Sequence, residues 1–231
     1  MTRRYLKHPM GSCLFELGDT RVLCAASIEE GVSAWRRGSG LGWLTAEYSM
    51  LPASTHTRSR REVGGSGPKG RTHEIQRLIG RSLRAVCDLG ALGGEVTVSV
   101  DCDVIQADGG TRTAAITGAW IAVYDALAQW QRAGKTTGGA LLSRVAATSV
   151  GMVDGELLLD LDYSEDSVAE VDMNVVMDDR GRFIEVQGTG EQIAFGRDKL
   201  DAMLDLASTG IDRLLEIQRL VVEEDVQTYG F

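Results

Sequence analysis

Residues Glu95–Gln106 alternate strictly in character. Val96, Val98, Val100, Cys102 and Val104 fall on one side, and Thr97, Ser99, Asp101 and Asp103 on the other. A period of two is the mark of an extended strand with one buried face. Asp108-Gly109-Gly110 stops the strand, and an Ala-, Ile- and Trp-rich stretch follows at about Thr111–Arg132. That stretch predicts a long helix ending near Gly134. A strand that passes through paired glycines into a helix leaves free backbone N–H groups at the junction, where an anion can sit. This one segment therefore commits the chain to a fold that packs helices on sheets, and it marks a candidate binding point.

The remaining pattern agrees. Ser12–Leu17 and Thr20–Ser27 flank Gly18-Asp19 as a hairpin, and Gly42–Leu51 reads as a third strand. Pro52–Lys69 is polar and basic with no apolar period, a loop of a length that suggests function. Glu74–Leu89 predicts a helix with Ile75, Leu78, Ile79, Leu83, Val86 and Leu89 on one stripe. Ala146–Val153 and Glu156–Tyr163 flank Asp154-Gly155, the strongest hairpin signal in the chain. Met173–Met177 and Arg182–Gln187 form another hairpin. Two helices close the chain, Arg197–Ala207 and Ile211–Val226, separated at Ser208-Thr209-Gly210. The order predicts an α/β (α+β) fold of mixed sheets packed with helices. With no linker-like shift in composition, residues 1–231 read as a single domain.

Composition narrows the function. No apolar run reaches membrane-spanning length, and the basic start lacks the apolar core of a signal peptide, so a cytoplasmic location without a membrane partner is expected. Cys13, Cys24, Cys87 and Cys102 form no CxxC pair and read as buried free thiols. The net charge of −9 conceals an asymmetry: residues 1–150 carry +5 and residues 151–231 carry −14. Within the first part, residues 58–84 hold eight Arg and Lys against two Glu, a candidate anion site on an otherwise acidic protein.

Four constellations can carry chemistry. At Gly110-Thr111-Arg112-Thr113, Arg112 adds a two-pronged donor to the helix start. Gly65–Thr72 nearly spells the phosphate loop GxxxxGK[ST], but Arg71 stands where Lys belongs and the preceding residues are charged rather than an apolar strand. What survives is Arg71 at a helix start as a second anion donor. Glu165, Asp166, Glu170 and Asp172 cluster beside predicted strand ends; such carboxylates suit Mg²⁺ or general acid work, although taken alone they read more simply as a solvated acidic loop. The basic set Arg36, Arg37, Arg58, Arg60 and Arg61 suits a nucleic-acid backbone, with few aromatic partners (Trp35, Trp43, Tyr48) for stacking. His8, His56 and His73 belong to no nucleophile or metal motif and read as surface or capping groups. Two arginine sites, a carboxylate site and a basic loop together suit phosphoryl chemistry on a polyanion.

Several strings resemble the ribonuclease PH family. They are Gly18–Cys24, Gly42–Tyr48, Arg71–Arg81, Asp101–Thr113, Glu165-Asp166-Ser167, Asp172–Met177 and Glu185–Thr189, and the likeness runs from about Thr2 to about Ile217. The resemblance implies a phosphorolytic 3′→5′ exoribonuclease that trims tRNA precursors beyond the CCA end. Inorganic phosphate is its co-substrate and nucleoside diphosphates are its products. It implies phosphate binding by Arg71, Gly110, Thr111 and Arg112, with Asp166 and Asp172 holding Mg²⁺ or acting in acid catalysis. It assigns Arg58 and Arg61 to RNA binding, and a homo-hexameric ring, a trimer of dimers, to the assembly.

Three departures stand beside the likeness. The family ordinarily carries a further short basic segment ahead of the first strand, and its loss is expected to loosen the ring or an RNA contact. Ala53 occupies a loop position that is commonly Arg, which should weaken tRNA binding, and Pro68-Lys69-Gly70 replaces paired glycines before Arg71, which should stiffen the loop. A non-catalytic RNA-binding ring subunit of the exosome kind is the main alternative. It should have lost the phosphate arginines or the acidic pair, yet Arg71, Arg112, Asp166 and Asp172 are all present.

Overall fold

A computed structural model describes residues 1–62, 67 and 69–229, with the side chains of 224–229 left out. Pro68 and residues 63–66, part of the near-phosphate-loop string, lie outside the described residues. The elements in order are β1 (Thr2–Arg3), β2 (Gly11–Leu17), β3 (Thr20–Glu30), β4 (Trp43–Met50), α1 (Gly70–Ala85), β5 (Val96–Gln106), α2 (Thr111–Arg132), β6 (Val145–Val153), β7 (Glu156–Leu159), α3 (Tyr163–Asp166), β8 (Val171–Asp178), β9 (Phe183–Gly190) and α4 (Arg197–Tyr229). Two sheets form. The first has the order β1-β2-β3-β5-β4 and the second β7-β6-β8-β9. All pairs are antiparallel except β4 with β5, which run parallel.

Helix α2 is the centre of the molecule. Most of its length is buried, on every face, including Ala114, Ile116, Thr117, Trp120, Val123 and Asp125. A helix buried all round must be covered on both sides. Here β2 and β3 lie on one side and β6 on the other. Its many small residues set the spacing. A Cβ placed on Gly118 would stand 2.8 Å from the Phe15 Cβ, and one on Gly11 would stand 1.9 Å from the Ala122 carbonyl oxygen. Only glycine permits so close an approach of helix to strand. Beneath α2 the register aligns Cys13 with Cys24 and Cys24 with Cys102, so three buried free thiols cross the sheet in a row.

The edges of the predicted elements differ in instructive ways. The first helix runs Gly70–Ala85 rather than Glu74–Leu89. Its apolar stripe holds, with Ile75, Leu78, Ile79 and Leu83 buried, but Cys87 leaves to pair with Leu141. The strand after Asp154-Gly155 stops at Leu159 instead of Tyr163, because Asp160 turns left-handed at φ 60°. The turn itself is as expected: Asp154 and Gly155 sit at φ 50° and 78°, the geometry a two-residue hairpin prefers.

The closing segment is one 33-residue helix, α4, not two. Ser208 and Thr209 donate their hydroxyls to the carbonyls of Leu204 and Asp205, each four residues back, and so stay within the helix. Gly210 serves contact rather than a break, since a Cβ there would stand 2.7 Å from the Leu159 side chain. Among the described residues no helix is long and apolar enough to cross a membrane.

Candidate active site

The junction of β5 and α2 is built as the glycines imply. Gly109 and Gly110 adopt φ 76° and 54°, and a Cβ on Gly109 would collide with the Leu161 carbonyl oxygen at 2.1 Å. Thr20 locks the turn from the neighbouring strand: its hydroxyl donates to the Gly109 carbonyl at 2.7 Å and accepts the Asp108 N–H at 2.9 Å. Gly110 is the N-cap of α2, and no side chain caps the helix. Thr113 gives its hydroxyl to the Gly110 carbonyl, and Thr111 shares a 2.9 Å hydrogen bond with the Tyr48 hydroxyl. Neither threonine caps the helix, so its first N–H groups and the positive end of its dipole are left facing outward.

They face a cavity of about 900 Å³. Its lining draws Arg71 from the first turn of α1, Gly110, Thr111 and Arg112 from the start of α2, Asp166 from α3 and Asp172 from β8. These six come from three helices and one strand, β8 of the second sheet, and from positions about a hundred residues apart in sequence. Arg112 lies 3.7 Å from a Glu74 carboxylate oxygen and 3.4 Å from Gln187 Oε1. Both contacts are long, so its guanidinium is positioned but not consumed.

The carboxylates respond to this setting. Burial lifts Asp172 above the ordinary carboxylate range, and the nearby negative charge of Asp166 adds to it; Arg112 and Arg71 act in the opposite sense. Burial also raises the Tyr48 hydroxyl, partly offset by its bond to Thr111 and by the charges of Arg71 and Arg112. Tyr48 thus backs the arginine-rich wall. Among the described residues no three His, Cys, Asp or Glu side chains gather into a cation cage. Asp166 and Asp172, close enough to feel each other's charge, still fit Mg²⁺, which takes one or two carboxylates and keeps other positions for water and phosphate oxygens.

Comparison with known proteins accords with this geometry. The description "3′ exoribonuclease family, domain 1" matches residues 1–129, and "domain 2" of the same family matches residues 143–210. Ribonuclease PH of Mycolicibacterium gilvum is 58% identical over 224 residues, covering 96% of this chain and 86% of the relative. Ribonuclease PH of Saccharopolyspora erythraea is 60% identical over 219 residues, covering 94% and 87%.

The chain belongs to the 3′ exoribonuclease family, with ribonuclease PH relatives.

Solved structures share the family fold at much lower identity. Rice Rrp46 superposes with a TM-score of 0.75 at 19% identity, covering 94% of this chain and 91% of that one. The Archaeoglobus fulgidus exosome with RNA bound to the active site gives 0.73 at 20% identity, covering 93% and 85%.

The loop after β4 divides in two. Thr55, His56 and Thr57 line the cavity, whereas Arg58 and Arg61 are exposed and do not line it. His56 is exposed, as expected of a loop histidine, and it also lines the cavity; His73 is exposed too and bonds to Gln76. Sequence reasoning also missed Tyr163, while Tyr48, a stacking candidate in the sequence, is buried in the core and does not line the cavity. Tyr48 alternates with Leu44 and Ala46 on the buried face of β4, a signal of burial but not of site. Tyr163 stands three residues before Asp166, on the same face of α3, and lines the same cavity.

Proposed function

We propose that the cavity performs phosphorolysis at the 3′ end of RNA, with tRNA precursors as substrate. The chain is a phosphorolytic 3′→5′ exoribonuclease, a nucleotidyltransferase-type enzyme. The convergence of Arg71, Gly110, Thr111, Arg112, Asp166 and Asp172 on one cavity carries the assignment of the site.

Phosphate is a weak nucleophile and is repelled by a phosphodiester. The uncapped N–H groups at Gly110–Arg112 and the guanidinium groups of Arg71 and Arg112 hold it and offset that repulsion. Held in line, a phosphate oxygen attacks the last phosphorus of the RNA. The new P–O bond forms as the bond to the preceding 3′ oxygen breaks. That oxygen takes up a proton, and a nucleoside diphosphate departs. Of Asp166 and Asp172, one is suited to hold Mg²⁺ and the other to supply the proton. When bound there, the ion supplies positive charge against the phosphoryl oxygens. Run backwards, the same arrangement adds nucleotides.

Arg58 and Arg61 lie outside the cavity and, in this reading, grip the RNA further from its end. The two halves act as one domain in this reading, because Asp166 of α3 and Asp172 of β8 must share a cavity with the arginines at the helix starts. The working assembly is a hexameric ring in the cytoplasm.

The test is a tRNA carrying extra 3′ nucleotides, incubated with Mg²⁺ with and without inorganic phosphate. Phosphate-dependent shortening with release of diphosphates supports the reading. Binding without shortening, or release of monophosphates, refutes it.

A further inference from the structure

The phosphate donors and the carboxylates account for the polar floor of the cavity, but not for one of its walls. Tyr163 is 57% exposed, yet it lines the cavity. Its ring centroid lies 6.0 Å from that of His56, the planes tilted by 35°. Among the described residues these are the only two rings in the lining. Apolar Met50, Ala107 and Ala169 also line the cavity but offer no flat face.

The backbone under Tyr163 is firmly held. Its N–H donates to Asp108 at 3.2 Å, tying it to the turn that leads into α2. Asp162, the residue before it, caps α3, with Glu165 returning a bond to the Asp162 N–H. The backbone that carries the ring is therefore fixed relative to both the helix-start site and Asp166. An exposed aromatic ring on a fixed backbone, beside a site that must hold the end of a single strand, is the usual stacking surface for an unpaired base.

We propose that Tyr163, backed by His56, is the platform on which the 3′-terminal base of the RNA stacks. This rests on the phosphorolytic reading of the cavity only for which base is bound. The geometry defines how. A base sandwiched between two rings needs them parallel and about 7 Å apart, twice the ~3.5 Å contact distance of carbon atoms. At 6.0 Å and 35° His56 and Tyr163 leave no such slot. The base stacks on the face of Tyr163 turned away from His56, which packs against the ring at a 35° tilt. Stacking uses the π-face that every base has, so the platform accepts any terminal nucleotide.

The experiment measures binding of a short single-stranded RNA without phosphate, to the full chain and to Tyr163→Leu and Tyr163→Phe. A second RNA lacks the base of its 3′-terminal nucleotide. Tyr163→Leu should weaken binding of the ordinary RNA on the order of tenfold. Tyr163→Phe, which keeps the ring, should restore most of the affinity. The native protein should bind the base-less RNA as weakly as Tyr163→Leu binds the ordinary one, and Tyr163→Leu should not distinguish the two RNAs. Because the side chain is largely exposed, unchanged thermal unfolding serves as the control for folding. Native-like binding by Tyr163→Leu, or persistent discrimination against the base-less RNA, overturns the platform. Failure of the native protein to release diphosphates would overturn the phosphorolytic reading instead, since stacking is read from binding alone.

Discussion

Replacing Arg112 by Ala tests the division of labour in the cavity. The Arg112 side chain is 17% exposed, and its two polar neighbours stand at 3.7 and 3.4 Å, too far to be strong partners. Its guanidinium is thus available for a two-pronged grip on phosphate. Each hydrogen bond from a charged group contributes about 1.5–3 kcal/mol. Two of them give about 3–6 kcal/mol, so kcat/KM for phosphate should fall by about 10²- to 10⁴-fold. Lys keeps the charge but not the fork, and Arg112→Lys should fall between Ala and the native protein. Stability should hardly change. Glu74 is about half exposed and 3.7 Å away, and such a pair contributes no more than about 1 kcal/mol, which for a chain of this size moves Tm by about 2–4 °C. The assay is the initial rate of diphosphate release across phosphate concentrations, beside RNA binding measured without phosphate. A comparable loss of RNA affinity, or an unchanged phosphate dependence, would refute the separation of nucleophile site from polymer site.

Asp172→Asn should lower kcat on the order of 10²-fold or more while RNA affinity stays near native, because the carboxylate acts on the reacting atoms; an unchanged kcat removes Asp172 from the chemistry. The buried Arg3–Asp125 ion pair joins β1 to α2, and Arg3 also donates to the Val221 carbonyl of α4 at 2.9 Å. Asp125→Leu alone should cost about 3–5 kcal/mol by stranding the charge of Arg3, and pairing it with Arg3→Met should recover much of that, as thermal or urea unfolding will show. Asp178 is buried, but bonds from the Arg182 side chain and the Arg180 and Arg182 N–H groups outweigh burial and hold its carboxyl below the ordinary range. Its contribution is present above the unfolded-state pKa of about 3.9 and is lost as pH falls through the lower folded value. Asp178→Asn should therefore destabilise at pH 7, by about 1–3 kcal/mol, and the gap to the native protein should close under strong acid.

Particular residues show how far sequence reading reaches. The alternation of Val96–Val104 and the glycines at 109 and 110 are local facts, because pleat period and left-handed φ act on neighbouring residues. They gave the strand, the turn and the helix start without reference to the rest of the chain. Ser208-Thr209-Gly210 misled because the same residues serve a break or a continuous helix. Packing of Gly210 against Leu159, more than fifty residues away in sequence, accompanies continuity. Asp160 has no special sequence signal, yet its left-handed turn ends β7 and allows α3 to carry Tyr163 and Asp166 to the cavity. Tyr163 and His56 went unread as site residues for a related reason. The sequence extends a strand to Tyr163, where an aromatic looks the same whether it meets a ligand wall or the core, and a loop histidine carries no period at all.

The sequence by itself determined the kinds of element, the anion-binding helix start at Gly110, the two arginine donors and an acidic cluster. Each follows from backbone periodicity, glycine conformations or charge, which neighbouring residues settle among themselves. The choice of Asp166 and Asp172 from that cluster is what the family resemblance implies. Only the tertiary structure decided that Arg71, Arg112, Asp166 and Asp172 share one cavity, and that the rings of His56 and Tyr163 form a wall of it. Those meetings depend on α2 being small enough in side chain to lie between two sheets, so that the start of the helix comes to rest against β8 and α3. That depth of packing is a sum over the whole core.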